Sequence, residues 1–313
     1  MLKLPPKAEH PTMYFIGVTT GKSSILNVFP KWAEALGIDA VIKGIDIQIH
    51  ADPQYYIDCV EFIKNDPLSI GALVTTHKID LFHAAKHLFE YVDPYAEKLE
   101  EISSISKRGG KLCCHAKDPI SSGLSLEAFL PEKFWKDHGG EVLLLGAGGS
   151  ALAMSLYLTQ EKWGDNVPER IIIANRSTPR LESAKKKLEG LNPRVKFEFI
   201  HGPTPKDNDK VLAGLKPYSL VVNATGLGKD APGSPLTDDA LFPENSLVWE
   251  INYRGDLLFM EQALKQKDSR KLHVEDGWIY FIHGWTLVVG EVFNVPIVGD
   301  KLAICSKIAM EMR

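Results

Sequence analysis

Short apolar runs recur along the chain, and between them lie longer stretches whose apolar positions return every three or four residues. "TMYFIGVT" predicts a strand and "SILNVFPKWAEALG" a helix; "AVIKGIDIQI" predicts a second strand, "PQYYIDCVEFIKND" a helix and "IGALVTT" a third strand. "ISSISKRGGKLCCHA" predicts a hairpin, because two β-rich runs flank Arg108-Gly109-Gly110. The alternation then restarts with "EVLLLGAGGSALAMSLYLTQEKWG" and continues through "RIIIANRSTPRLESAKKKLEG", "VKFEFI", "SLVVNATGLG" and "LVWEINYRGDLLFMEQAL". Strands alternating with helices predict an α/β architecture built on parallel strands. The polar "PEKFWKDHGG", ending in two glycines, places the expected domain boundary between Pro131 and Gly140.

At 313 residues and 44% hydrophobic content the chain supports two cores of ordinary size. With 36 basic against 40 acidic side chains, a net charge of −4, it carries no electrostatic footprint for nucleic acid or an anionic membrane, so a small-molecule partner is expected. The opening "MLKLPPKAEHPTMYF" has no apolar signal core and no run has the length of a membrane span, which predicts a cytoplasmic protein. The four cysteines, Cys59, Cys113, Cys114 and Cys305, have neither metal-ligand spacing nor disulfide-framework density, so reduced structural thiols and no metal are expected.

The restart carries the strongest local motif. Gly146-Ala147-Gly148-Gly149-Ser150 follows the apolar "VLLL" directly and opens a helix, with Ala151 in the slot of a third small residue. Gly146 suits the tight turn, Gly148 lets backbone approach a pyrophosphate, and the free amides at the helix start receive it. After the next strand, "RIIIA", an NAD site usually places a carboxylate on the ribose 2′-hydroxyl. This chain has Asn175, Arg176, Ser177, Thr178 and Arg180 there, with no acid before Glu182. Arginines hold a 2′-phosphate through charge-assisted bonds, so NADP is the expected cofactor. In "SIGALVTTHKID" an apolar strand hands over to His77 and Lys78; on those residues alone, a strand-ending surface lysine and a catalytic one both remain open.

Together these segments resemble the shikimate/quinate dehydrogenase family over nearly the whole length. "LLLGAGGSALA" and "ANRSTPR" are similar to that family's NADP-binding turn and arginine-bearing loop. "VVNATGLG", with Asn223, Ala224 and Thr225, resembles its Asn-Ala-Thr segment near the nicotinamide. "EINYRGD" resembles its acidic-x-x-Tyr segment, and "DGWIYFIHGWTLVVGEVF", whose Gly277 the resemblance makes a cofactor-binding residue, its C-terminal helix returning to the first domain. The resemblance implies a substrate-binding domain over 1–125, completed by 279–313, and a Rossmann domain over 126–278. It places a catalytic cleft between them. "VTTHK" is similar to a shortened form of the family's V-T-x-P-x-K, which gives Lys78 the catalytic role, with Asp118 of "AKDP" as its partner. Ser23, Ser24, Thr75, Thr76 and Tyr253 become the substrate-binding candidates. Oxidation of an alcohol asks for such a pair, since the hydroxyl proton must leave as hydride passes to the nicotinamide.

The departures from the family pattern fall on the expected substrate pocket. Ile25 takes the slot of a second serine, while Ile105, Ala116 and Gly284 replace two asparagines and a glutamine that read ring hydroxyls. His77, His115, Lys117 and Trp285 add new polar or bulky groups nearby, and Lys117 suggests an extra anionic group on the substrate. The implied protein is a monomeric or homodimeric NADP-dependent enzyme of the shikimate dehydrogenase type, in or near aromatic amino acid biosynthesis, with an altered pocket. Quinate or another polyol acid as substrate, and a non-catalytic NADP-binding regulator, are the alternatives.

Overall fold

β1 (Thr12–Gly17) is buried at every position, as a strand covered on both faces must be. It pairs in parallel with β2 (Val41–Asp46) and β3 (Ser69–Val74). The computed structural model describes residues 4–229 and 231–313. Between these strands run α1 (Ile25–Leu36), which stops at Gly37 with φ 68°, and α2 (Pro53–Asn65), which starts on the Asp52 carboxylate and a first-turn proline. After β3 come α3 (Lys78–Ala85), β4 (Tyr91–Val92) and α4 (Pro94–Leu99). β5 (Ser104–Arg108) and β6 (Lys111–His115) form the antiparallel hairpin expected around Gly109 and Gly110, both at positive φ. The mixed sheet runs in the order β2-β1-β3-β5-β6-β4 over a core that includes Tyr14, Ile16, Ile45, Val74 and Ile105.

The second sheet is wholly parallel. After α5 (Asp118–Glu127) and α6 (Phe134–His138) it alternates β7 (Val142–Leu145), α7 (Gly149–Leu158), β8 (Arg170–Asn175), α8 (Thr178–Leu188), β9 (Lys196–His201) and α9 (Pro205–Ala213). β10 (Leu220–Asn223), β11 (Leu247–Glu250), α10 (Leu258–Leu264), α11 (Lys267–Arg270) and β12 (His273–Glu275) complete it. The order β9-β8-β7-β10-β11-β12 is that of the dinucleotide-binding doubly wound fold, so the α/β class expected from the alternation is the one formed. α12 (Trp278–Phe293) starts within this half of the chain and α13 (Asp300–Glu311) follows.

Two compact units result: one formed by residues up to Lys117 with Ile282–Arg313, the other by Asp118–Phe281. The first ends at Lys117 rather than 125 because α5 packs on α7, so closely that a Cβ on Gly123 would lie 2.1 Å from the Tyr157 ring. The polar stretch from Pro131 to Gly140 is no linker: it folds as α6 inside the second unit, with Phe134 and Trp135 buried. Within the first unit, Trp32 Nε1 donates to Cys305 O at 2.8 Å and ties α1 to α13. All four cysteines are buried and free. Among the described residues no helix is long and apolar enough to cross a membrane.

Candidate functional site

In the second unit β7 has β8 on one side and β10 on the other, so its C-terminal end is the switch point at which such sheets bind ligands. Gly146 follows directly, at φ 116°, and a Cβ there would meet Ala224 O at 2.6 Å. Only glycine fits that position. Gly148 precedes α7, and a Cβ on it would meet nothing within 4 Å, which leaves the helix start open to a phosphate. Ala147 is buried beneath the turn, Gly149 opens the helix, and Ser150 Oγ accepts from the Tyr280 hydroxyl at 3.4 Å. At the end of β8, Asn175 Nδ2 donates to Ser177 O at 3.3 Å, and Arg176, on that loop, and Arg180, in the first turn of α8, are both exposed. This open glycine turn, helix start and pair of arginines fit NADP. Gly277 lies after β12, where a Cβ would come within 2.0 Å of Ile251 O.

At the ends of β10 and β11 the chain builds a polar clamp. Glu250, fully buried, accepts from Asn223 Nδ2 at 2.6 Å, from Asn252 N at 2.9 Å and from Asn252 Nδ2 at 2.7 Å. Asn223 Oδ1 in turn accepts from Thr225 N at 3.1 Å and Thr225 Oγ1 at 2.6 Å. Burial pushes the Glu250 carboxyl up to about 7, against the opposing pull of these hydrogen bonds. The sequence analysis placed Asn223, Ala224 and Thr225 at the cofactor but missed Glu250 and Asn252 as their support. The signal was a lone acid closing the apolar "LVWE".

In the first unit β1 and β3 end side by side, with Ile16 opposite Val74. Thr75 N and Oγ1 both donate to Ile16 O, at 3.0 and 3.2 Å, so this threonine joins the two strand ends. Thr76 is exposed. Lys78 opens α3 rather than ending β3, and its carbonyl accepts from Ile102 N at 3.0 Å. Ser23 follows the turn after β1, and Ser24 stands at the N-cap of α1 without using its hydroxyl as a cap. Ser23, Ser24, Thr75, Thr76 and Lys78 therefore share the strand-exit end of one sheet. Asp118, buried at the start of α5, and Tyr253, packed on Trp278 and Phe281 at ring distances of 5.5 and 4.8 Å, belong to the second unit.

His77 does not face an open pocket: it is 1% exposed, its Nδ1 lies 3.2 Å from the Tyr56 hydroxyl, and burial lowers its pKa. The sequence analysis missed Tyr56, an ordinary helix aromatic in the pattern.

Five of the expected pocket positions are buried or already paired. Ile105 lies in the apolar core, because its register opposite Ala72 turns its side chain inward. Lys117 is already neutralised, its Nζ 2.7 Å from Glu291 Oε2. Trp285 is buried edge-on against Phe15 at 5.1 Å. Ala116 is buried too, its amide donating to Asp93 Oδ2 at 2.6 Å. His115 is mostly buried, 3.6 Å from Glu291 Oε1, and burial lowers its pKa. At Gly284, by contrast, a Cβ would meet nothing within 4 Å, so that position opens onto free space.

No family model matches the chain. The shikimate dehydrogenase (NADP(+)) of Symbiobacterium thermophilum is 30% identical over 217 residues, 69% of this chain and 68% of that protein. The protein of the same name from Methylocella silvestris is 24% identical over 279 residues, 88% of each chain. Among solved structures, shikimate dehydrogenase from Aquifex aeolicus superposes with a TM-score of 0.71 at 20% identity, covering 96% of this chain and 98% of that one. Quinate dehydrogenase from Corynebacterium glutamicum gives 0.70 at 18%, covering 96% and 99%. The structures share the fold; the sequence relationship to the Symbiobacterium protein goes further, and the chain belongs to the shikimate dehydrogenase family.

Proposed function

We propose that this protein is an NADP-dependent dehydrogenase that interconverts a secondary hydroxyl and a ketone on a hydroxylated, cyclic carboxylic acid. The observation that carries the proposal is the switch-point turn of the second unit, an open glycine at a helix start beside the β8–α8 junction, where Arg176 and Arg180 stand and no carboxylate does, in a chain of this family. Bound NADP supplies the hydride acceptor. In this reading Gly146, Ala147, Gly148, Gly149 and Ser150 cradle the pyrophosphate, and Gly277 belongs to the same cofactor site. Asn175, Arg176, Ser177 and Arg180 hold the 2′-phosphate, and Asn223, Ala224 and Thr225 line the nicotinamide end.

The second unit is then the nucleotide domain and the first the substrate domain. Lys78 takes the hydroxyl proton as the C–H hydride leaves, with Asp118 as its partner in that step. Ser23, Ser24, Thr75, Thr76 and Tyr253 offer hydroxyls to the substrate. The buried, free cysteines suit a reducing compartment, in keeping with a cytoplasmic enzyme acting as a monomer or homodimer. Open space at Gly284 favours a polyol acid other than shikimate, quinate included.

The test is a screen of hydroxylated cyclic acids with NADP and with NAD, followed by reduced-cofactor absorbance. Turnover with NADP on one such acid supports the proposal. Tight NADP binding without turnover of any would make the protein a nucleotide-binding regulator.

A further inference from the structure

We propose that Glu250 is a positioning residue: through the side-chain amides of Asn223 and Asn252 it fixes the backbone of residues 225–227 at the nicotinamide end of the cofactor site. The proposal rests on the dehydrogenase reading for what the loop does, but the clamp itself lies wholly within the second unit. Glu250 ends β11 beside Asn223, its register partner at the end of β10. Among the described residues its two oxygens accept from Asn223 Nδ2, Asn252 N and Asn252 Nδ2. An ionised carboxylate, which accepts and never donates, is the form that suits them.

Each amide held by Glu250 also grips the loop. Asn252 Nδ2 also faces Thr225 O at 3.3 Å and Leu227 O at 3.2 Å. Asn223 Nδ2 reaches Leu227 O at 3.4 Å, while its Oδ1 accepts from both the backbone and the hydroxyl of Thr225. Thr225 Oγ1 then accepts from Leu227 N at 3.2 Å. Without the carboxylate, only the longer contacts to the loop itself would hold the two amino groups in place.

Protonation would turn one Glu250 oxygen into a donor facing donors, so the grip should weaken as the group gains its proton. The charged groups around it set when that happens. Lys229, on the loop itself, favours the ionised form. From β12, His273 and Glu275 pair with each other at 2.8 Å, and Asp276 Oδ1 accepts from Trp278 N at 2.9 Å.

The test is amide hydrogen exchange of peptides covering 224–228 in the ligand-free protein at about pH 6 and about pH 8, corrected for intrinsic rates. It compares wild type, Glu250→Gln and Asn252→Ala, with NADP titrated into each. Wild type should lose protection several-fold between the higher and the lower pH. Glu250→Gln should be poorly protected at both, with the exchange of β7 and β8 unchanged. Wild-type protection in Glu250→Gln, or the same pH dependence, would overturn the clamp. Should that variant fail to fold, unchanged protection of 225–227 in Asn252→Ala would overturn it equally. A wild type that shows the pH effect but binds no NADP would overturn the dehydrogenase reading and leave the clamp standing.

Discussion

Lys117 and Glu291, 174 positions apart in sequence, meet at 2.7 Å within one unit. Arg108 Nη2 at 3.3 Å and Ser106 Oγ at 3.3 Å complete the hold on the same carboxylate. Burial alone would raise the Glu291 carboxyl, but the Lys117 hydrogen bond and the charges of His115, Lys117 and Arg108 outweigh it and hold the group below its usual range. Glu291→Gln leaves two half-buried cations without their anion. It should cost about 1–3 kcal/mol, less than a fully buried pair because these side chains keep some solvent. Urea unfolding measures it, and Lys117→Met should lose less, since Arg108 still neutralises Glu291. Equal, negligible losses would reduce the cluster to a surface feature.

Cofactor choice should follow the loop after β8. Arg176→Ala is expected to weaken NADP binding by about 1–3 kcal/mol and to leave NAD nearly unchanged. Calorimetric titration of both cofactors decides it. Parallel losses would mean that Arg176 does not read the 2′-phosphate.

Lys78→Met should lower kcat by roughly a hundredfold or more while the protein stays folded and binds NADP, the usual worth of acid-base help being about 10² to 10⁴. Asp118→Asn should act on the same step, and the double variant should lose far less than the product of the single losses. Single-turnover kinetics with any active substrate tests this. Unimpaired chemistry in Lys78→Met would make Lys78 only the first residue of a helix.

Stability should depend on pH through Glu250. Its carboxyl titrates at about 7 when folded and at 4.5 in the free side chain. Between those values the folded protein holds a proton that the unfolded chain has released. Stability is therefore greatest below the lower value and falls as pH rises through the higher, by up to about 3 kcal/mol. Glu250→Gln should flatten that slope in urea titrations across the window. An unchanged slope would place the titration elsewhere.

Gly284→Gln should be tolerated, because the side chain enters open space, and should stabilise α12 by about 0.5 kcal/mol through helix propensity. If Gly284 faces the substrate, the same change should raise kcat/KM for shikimate relative to wild type. Thermal melts and steady-state kinetics check the two halves separately, and an unaltered kcat/KM would remove this position from the pocket.

The sequence made the second unit the more legible one. A parallel Rossmann sheet writes each strand as a continuous apolar run with its turn immediately after it, so Gly146, Arg176 and Asn223 are legible as strand-end residues. The first unit was read less well because its sheet is mixed. In β5 neighbouring residues take opposite faces, so a shift of one position sends Ile105 to the core instead of a pocket. Partners distant in sequence, such as Glu291 for Lys117 or Tyr56 for His77, leave no local periodicity to detect. The boundary was misplaced for a related reason: composition marked a polar segment at Pro131–Gly140, whereas packing of Gly123 against Tyr157 had already carried α5 into the second unit.

The first unit is discontinuous: its strands come from the beginning of the chain and its last helical segments from residues after Phe281. During synthesis the unit whose sheet emerges from the ribosome first is thus the one completed last. Until Cys305 appears, Trp32 has no carbonyl for its indole N–H, and until Glu291 appears, Arg108 and Lys117 have no anion. The intervening nucleotide-fold segment, contiguous in sequence, has every strand it needs once Glu275 has been made. A chain that stalls or is cut shortly after α12 begins would therefore hold a complete second sheet tethered to a first unit without its closing helices. Its unsealed apolar core would make it a substrate for chaperones and proteases rather than half an enzyme.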